Sequence, residues 1–156
     1  MSEEHNIVLI IIFHPGISYS NPGETVEGYD CVMWVNHLAP FLLTHLLLDR
    51  LKKSTPSRII TVSSSAHTGI GKIEDCFYLS SKTAPPKTRV IPMYGQTKLF
   101  NISFMRELDK RLIGSGVYTY SVHPGIVHTN IFQNNINTAG GLGMKFFFAL
   151  SYFLML

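Results

Sequence analysis

The most constraining feature of the sequence is an uninterrupted apolar run near its start, Ile7 to Phe13, which reads IVLIIIF. Seven residues are too few to cross a bilayer, and the preceding Glu3 and Glu4 do not suit a signal peptide, which begins with basic residues. Continuous apolar runs of this length are typical of strands covered on both faces. We therefore expect Ile7 to Phe13 to form a fully buried strand of a parallel sheet.

The segments that follow alternate between helical and extended patterns. Asp30 to Lys53 and Met93 to Ile113 carry apolar residues at helical spacing, and Gly114-Ser115-Gly116 ends the second. Arg58 to Val62 and Val117 to Val122 are short segments of strand composition. This order predicts a parallel sheet with crossover helices. In the first helix the expected apolar stripe comprises Val32, Val35, Leu38, Leu42 and the pair His45 and Leu46.

Composition places residues 1–156 in one globular domain and excludes several classes of function. Apolar residues make up 46% of the chain and charged residues 15%, which excludes a disordered chain. The net charge of +3 is too weak and scattered to indicate a nucleic-acid partner. Cys31 and Cys76 predict neither a disulfide framework nor a metal site, and are interpreted as reduced thiols in an intracellular compartment.

A second apolar stretch lies at the other end of the sequence, from Phe146 to Leu156, and reads FFFALSYFLML. Eleven residues are too few to cross a bilayer. A buried helix, an interfacial helix and part of a longer segment all remain open as interpretations. We treat residues 146–156 as an apolar tail of the domain.

The residues that indicate chemistry lie on the second helix and after the strand before it. Tyr94 and Lys98 are four residues apart and therefore share a helix face. A free phenol titrates near pH ~10, and a neighbouring ammonium is expected to lower that pKa. Such pairs are common on solvated helices, so the pair alone is a weak signal. Ser64 follows the strand RIITV and is expected at the carboxyl edge of the sheet, where α/β proteins bind ligands.

Four segments in this order resemble the short-chain dehydrogenase/reductase family, and within it the retinol dehydrogenase-like group. They are VNHLAPFLLTHLLL (35–48), SRIITVSSSAH (57–67), YGQTKLFNISFMREL (94–108) and SVHPGIVHT (121–129). The resemblance implies a Rossmann-like, doubly wound parallel sheet. The sheet would be incomplete, with the central and later strands and their crossover helices present.

The resemblance also implies a catalytic role for each matching residue. Tyr94 would be the general acid/base, and Lys98 would lower its pKa and hold the nicotinamide ribose. Ser64, the second serine of the Val-Ser-Ser pattern, would hydrogen-bond the reacting oxygen of the substrate. Asn36 matches the asparagine that organises a proton-relay water in the family.

A cofactor and a substrate class follow from the same resemblance. NADP or NAD would carry the hydride, held by Gly16, Tyr94 and Lys98 and by the turn with Pro124, Gly125 and Thr129. The substrate would be a hydrophobic alcohol or carbonyl compound of the retinol type.

Two departures from the family pattern affect the cofactor site. The sequence contains no Gly-x-x-x-Gly-x-Gly turn between a strand and a helix, which would hold the pyrophosphate. The segment Phe13-His14-Pro15-Gly16 stands where the family has Asn-Asn-Ala-Gly. The sequence is therefore interpreted as a central part of such an enzyme, and it is expected to expose unpaired sheet edges and apolar helix faces.

Two alternatives to catalysis by this chain remain. It would be a non-catalytic truncated paralogue or isoform that joins a full-length relative, as a homo- or heterodimer through the two long helices. It would otherwise attach to a membrane surface through the apolar tail. Family members are often membrane-associated, so we expect an intracellular location, at the endoplasmic reticulum membrane or in the cytoplasm.

Overall fold

The computed structural model describes residues 8–18, 23–70 and 91–125, and the elements alternate as the sequence predicts. In chain order they are β1 (Ile10–Phe13), α1 (Cys31–Met33), a π-helical turn (Trp34–Leu38), α2 (Ala39–Lys53), β2 (Ser57–Val62), a 3-10 helix (Ser65–Gly69), α3 (Ile91–Arg111) and β3 (Val117–Val122). The first helical prediction, Asp30 to Lys53, therefore corresponds to α1, the π-helical turn and α2 in succession.

The described strands form a parallel sheet in the order β1-β2-β3. Ile59 of β2 lies between Ile11 of β1 and Thr119 of β3 in the register. All strands run the same way, so the residues that follow Phe13, Val62 and Val122 lie at the same carboxyl edge. This arrangement is the incomplete α/β, Rossmann-like fold that the sequence predicts.

Both long helices pack on one face of the sheet. Ile59, which is fully buried, is the centre of this core. The other buried members of the cluster are Phe13, Leu51, Met105, Leu108, Leu112 and Val117. Leu51 comes from α2 and the residues from Met105 to Leu112 come from or directly follow α3, so the two crossovers share a face.

The opposite face of the sheet is open in the described residues. Ile10 is 45% exposed and Ile12 is 62% exposed, while Tyr118, Tyr120 and Val122 of β3 are also exposed. The prediction that the first strand is covered on both faces is therefore wrong for this part of the chain. The reason is that α2 and α3 lie together on the other side. The exposure of this apolar sheet face was not predicted from the sequence.

The π-helical turn changes which face of the first helix is buried. Val32 is buried as expected, but Val35, Leu42 and Leu46 are 37%, 53% and 71% exposed. Because a π-helical turn holds more residues than an α-helical turn, positions after it rotate away from the stripe expected for a straight α-helix. Thr44 and Leu51 occupy the buried face instead.

Both long helical segments have specific ends. The Asp30 carboxylate accepts hydrogen bonds from the backbone N–H groups of Val32 and Met33, at 2.8 and 3.1 Å, and so caps the first helix. After α3 ends at Arg111, Gly114 and Gly116 have φ of 77° and 75°, a region that favours glycine. The Gly-Ser-Gly stop expected from the sequence is confirmed.

The segment Cys31–Lys53 is long and apolar enough to cross a membrane, with a mean hydropathy of 1.5. Length and composition are weak evidence, because core helices of soluble domains meet the same criterion. In this structure Val32, Met33 and Leu51 are buried against other elements. The segment therefore contacts the core at these positions and exposes an apolar side.

Candidate active site

Ser64 and Tyr94 meet at the carboxyl edge of the sheet. Ser64 lies two residues beyond β2, and its hydroxyl caps the 3-10 helix by accepting a hydrogen bond from Ala66 N at 3.2 Å. A further hydrogen bond joins the hydroxyl groups of Ser64 and Tyr94. The neighbouring Ser63 is buried and donates to the backbone carbonyl of Lys98 at 3.1 Å. Ser64 is therefore the serine that the structure brings to the tyrosine.

Close packing between the 3-10 helix and α3 holds this pair together. Gly95, next to Tyr94, lies against the 3-10 helix so tightly that an added Cβ would be 2.5 Å from the carbonyl oxygen of Ala66. Real Cβ atoms do not approach a backbone oxygen so closely. Glycine at position 95 therefore permits the approach that the hydrogen bond between Ser64 and Tyr94 requires. This role of Gly95 was not predicted from the sequence.

Gly95→Ala is expected to destabilise the protein by about 1–3 kcal/mol, because the backbone of the 3-10 helix must move away from α3. Chemical denaturation measures this change. Gly69→Ala is the matched control, since a Cβ at Gly69 meets nothing within 4 Å and the residue has no positive φ. Equal stability of the two variants would contradict this account of Gly95.

Lys98 lies behind the tyrosine and is 1% exposed. Its ammonium donates to the backbone carbonyl of Pro15 at 2.8 Å and to that of Val62 at 2.9 Å. The nitrogen is 5.4 Å from the centroid of the Tyr94 ring. Burial lowers the pKa of Lys98 to about 8, because the charged form loses its hydration. Lys98 thus joins the carboxyl ends of β1 and β2.

The pKa of Tyr94 is raised above its ordinary value, because burial disfavours the phenolate. The hydrogen bond from Ser64 opposes this shift and is the smaller effect. The direction is opposite to the lowering expected from the spacing of Tyr94 and Lys98. The ammonium lies over the ring and is directed at backbone carbonyls, and its own charge is disfavoured by the same burial.

Asn36 is fully buried in the π-helical turn and binds the loop that follows β1. Its side-chain oxygen accepts from Ile17 N at 3.0 Å, and its amide nitrogen donates to Ile17 O at 2.9 Å. The same nitrogen donates to the Thr97 hydroxyl at 3.3 Å. The structure therefore places Asn36 between the loop and α3, while its role with a proton-relay water stays a prediction.

Two further polar residues lie next to Asn36, and neither was predicted from the sequence as a site residue. Asn101 donates from its amide to the backbone carbonyl of Asn36 at 3.0 Å. His37 contacts the side-chain oxygen of Asn101 through Nδ1 at 2.8 Å. A signal was present in the sequence, since Pro40 follows Asn36 by four residues and has no N–H for the usual helical hydrogen bond.

The remaining predicted cofactor residues are described only in part. Gly16, Pro124 and Gly125 are exposed at the carboxyl edge, and Gly125 has a φ of 81°. Thr129 and the apolar tail, residues 146–156, lie outside the described residues. Among the described residues, no group of three or more His, Cys, Asp or Glu side chains is placed to hold a metal ion.

Curated proteins of similar sequence are retinol dehydrogenases and related enzymes. Mouse retinol dehydrogenase 11 is 42% identical over 137 residues, covering 84% of this chain and 40% of that protein. Human retinol dehydrogenase 12 is 43% identical over 126 residues, covering 81% of this chain and 38% of that protein. Bovine dehydrogenase/reductase SDR family member 13 is 41% identical over 127 residues, covering 81% and 32%. The chain spans about two fifths or less of each.

Solved structures of similar fold are also dehydrogenases. A short-chain dehydrogenase from Sphingobium yanoikuyae in complex with NADPH matches with a TM-score of 0.57 and 23% identity, covering 85% of this chain and 46% of that one. The NADP active-site complex of RhlG from Pseudomonas aeruginosa matches with a TM-score of 0.55, at the same identity and coverage. At this identity the likeness shows the fold. No protein-family model matches the sequence.

Proposed function

Because this chain belongs to the short-chain dehydrogenase/reductase family, we propose that it carries the proton-transfer residues of an NAD(P)-dependent oxidoreductase. The substrate would be a hydrophobic alcohol or carbonyl compound of the retinol type, the class named for the relatives. One observation carries the proposal. The hydroxyls of Ser64 and Tyr94 are hydrogen-bonded at the carboxyl edge of the sheet, with the Lys98 ammonium against the tyrosine ring.

The described residues fit the nicotinamide end of such a cofactor. A phenol, a serine hydroxyl and an ammonium converge at the carboxyl edge, and this set suits the ribose hydroxyls and a reacting oxygen. Lys98 would hold the ribose with its third N–H, since the other two bind Pro15 and Val62. In residues 8–18, 23–70 and 91–125, no glycine-rich turn joins a strand to a helix to hold the pyrophosphate.

When bound, the nicotinamide would supply or accept the hydride. Tyr94 transfers the proton. Because burial raises its pKa, the phenol is protonated near neutral pH and is suited to donate to a carbonyl oxygen as that oxygen becomes an alcohol. Ser64 would redirect its single O–H from the phenol to the same oxygen and stabilise its developing negative charge. The phenol is therefore in the protonation state that carbonyl reduction requires at neutral pH.

Titration calorimetry of the purified chain with NADPH and with NADH tests the proposal. We expect saturable binding of at least one dinucleotide, and a binding constant that weakens at least about tenfold in Lys98→Met, which loses one charge-assisted contact. Lys110→Met is the matched control, because Lys110 is exposed at the far end of α3. If neither dinucleotide binds the unmodified chain, the proposal is overturned for this chain.

We further propose that the exposed side of the helices forms a dimer interface with a second copy or with a longer family member. Phe41, Leu42, Leu43 and Leu46 of α2 are 39%, 53%, 45% and 71% exposed. Phe41 packs against Phe104 of α3 in a tilted arrangement with a centroid distance of 4.7 Å, so this apolar surface spans both helices. Such surfaces commonly mark protein contacts. A membrane surface as a partner rests on residues 146–156 and stays a prediction.

Leu46→Glu is expected to abolish self-association, because a carboxylate at the centre of an apolar interface loses its hydration. Sedimentation velocity at increasing protein concentration measures the change from dimer to monomer. Lys52→Glu, an exposed substitution on the same helix, should leave association unaltered. A monomeric unmodified chain at concentrations of about 100 μM would exclude a stable homodimer.

A further inference from the structure

The backbone carbonyl of Asn36 lacks its usual α-helical donor. In an α-helix this carbonyl would accept from the N–H of residue 40, but residue 40 is proline and has none. The clash of a proline ring with the carbonyl four residues earlier also accounts for the π-helical turn, Trp34–Leu38. Asn36 is fully buried, so water does not replace the missing donor.

Asn101 supplies that donor. Its amide nitrogen is 3.0 Å from the carbonyl oxygen of Asn36, and the residue is only 2% exposed. Because the carbonyl accepts only, Asn101 must present its NH₂ group there, which leaves its oxygen for His37 Nδ1 at 2.8 Å. His37 Nδ1 therefore carries the hydrogen. His37 is held in turn by edge contact with the Phe104 ring, at 6.2 Å between centroids.

The orientation of Asn36 determines the position of the loop after β1. Its side chain binds both backbone polar groups of Ile17, and two residues earlier the carbonyl of Pro15 accepts from the Lys98 ammonium. The loop is thus tied to α3 at Pro15 and to the π-helical turn at Ile17. If the turn relaxes, the loop loses one of these two ties and the ammonium loses the fixed position of one of its acceptors.

We propose that Asn101, oriented by His37, is a positioning residue that holds Asn36 and through it the loop that encloses the Lys98 ammonium. This role deepens the proposed function, because it concerns the lysine assigned there to the cofactor ribose. Asn101 itself touches neither substrate nor cofactor. It takes the place of the backbone donor that Pro40 removes. The hydrogen bond from His37 to its oxygen keeps the amide nitrogen directed at the carbonyl of Asn36.

The test is to measure the pKa of Lys98 in Asn101→Ala by NMR, with lysine labelled with ¹³C at Cε. The Lys98 signal is assigned by its absence from the spectrum of Lys98→Arg. In the unmodified chain Lys98 is expected to titrate near pH 8. In Asn101→Ala the loosened loop admits water, and the pKa should rise by about one unit or more towards the ordinary value. No dinucleotide is present, so failure to bind NADPH or NADH leaves this test unaffected.

Thr119→Val is the matched control, because it also removes a side-chain hydrogen bond to the α3 backbone, the 3.0 Å bond to Met105 O, away from the loop. It should lower the urea midpoint without moving the Lys98 titration. If Asn101→Ala does not fold, His37→Leu keeps the amide and removes only its orienting donor, with a smaller shift in the same direction expected. An unchanged Lys98 titration in the folded variant would reduce Asn101 to a structural role and overturn the proposal.

Discussion

Replacing Tyr94 with phenylalanine is expected to lower NAD(P)-dependent turnover by about 10²–10⁴-fold, the contribution typical of a positioned acid or base. The ring is retained, so its packing against the Lys98 ammonium should persist. What is lost is the hydroxyl that bonds Ser64 and delivers the proton. The rate of reduction of a hydrophobic aldehyde, followed by loss of NADPH absorbance, measures the effect.

Tyr118→Phe is the control for this substitution, since it removes a phenol hydroxyl from the exposed face of β3, where Tyr118 is 51% exposed. Its turnover should equal that of the unmodified chain. Dinucleotide affinity should fall far less than turnover in Tyr94→Phe, because Lys98 would still hold the ribose. Full activity of Tyr94→Phe would require another proton donor and would remove Tyr94 from the mechanism.

The free energy of unfolding is expected to rise with pH between about 8 and 10, because Lys98 has a lowered pKa in the folded chain. The pKa of Lys98 is about 8 in the folded chain and near 10.5, the ordinary value for lysine, in the unfolded chain. Between these values the unfolded chain binds more protons, so raising the pH favours the folded state. The full difference corresponds to about 3 kcal/mol, reached as the pH passes the unfolded value.

Urea denaturation at several pH values measures this slope, and Lys98→Met should abolish it. Tyr94 does not obscure the window, because its raised pKa makes the folded state lose stability only above about pH 10. Lys53→Met, at an exposed position on α2, should retain the slope. If the free energy of unfolding of Lys98→Met still rose over this pH range, a group other than Lys98 would be responsible for the pH dependence.

The sequence predicted the order of elements and the carboxyl-edge location of Ser64, because strand composition, helical spacing and chain direction determine both. It did not predict the orientation of the first helix. Pro40 occurs within a regular apolar spacing, and only the three-dimensional contacts show that the π-helical turn displaces Val35, Leu42 and Leu46 to the surface.

The electrostatics of the site could not be derived from spacing either. Tyr94 and Lys98 share a helix face as expected, yet burial raises the pKa of the phenol and lowers that of the amine. Burial depends on residues distant in sequence, such as Pro15, which is 83 positions from Lys98. Gly95 and Asn101 were missed for the same reason, since their partners Ala66 and Asn36 lie in other elements.

The two acceptors of the Lys98 ammonium are main-chain oxygens, and this has a consequence for genetic experiments on the site. Every amino acid supplies such an oxygen, so replacement of the side chain of Pro15 or Val62 leaves the acceptor in place. Alanine scanning would identify Lys98 and pass over both of its partners. An amide-to-ester substitution after either residue, which weakens the carbonyl acceptor, is the change that would expose them.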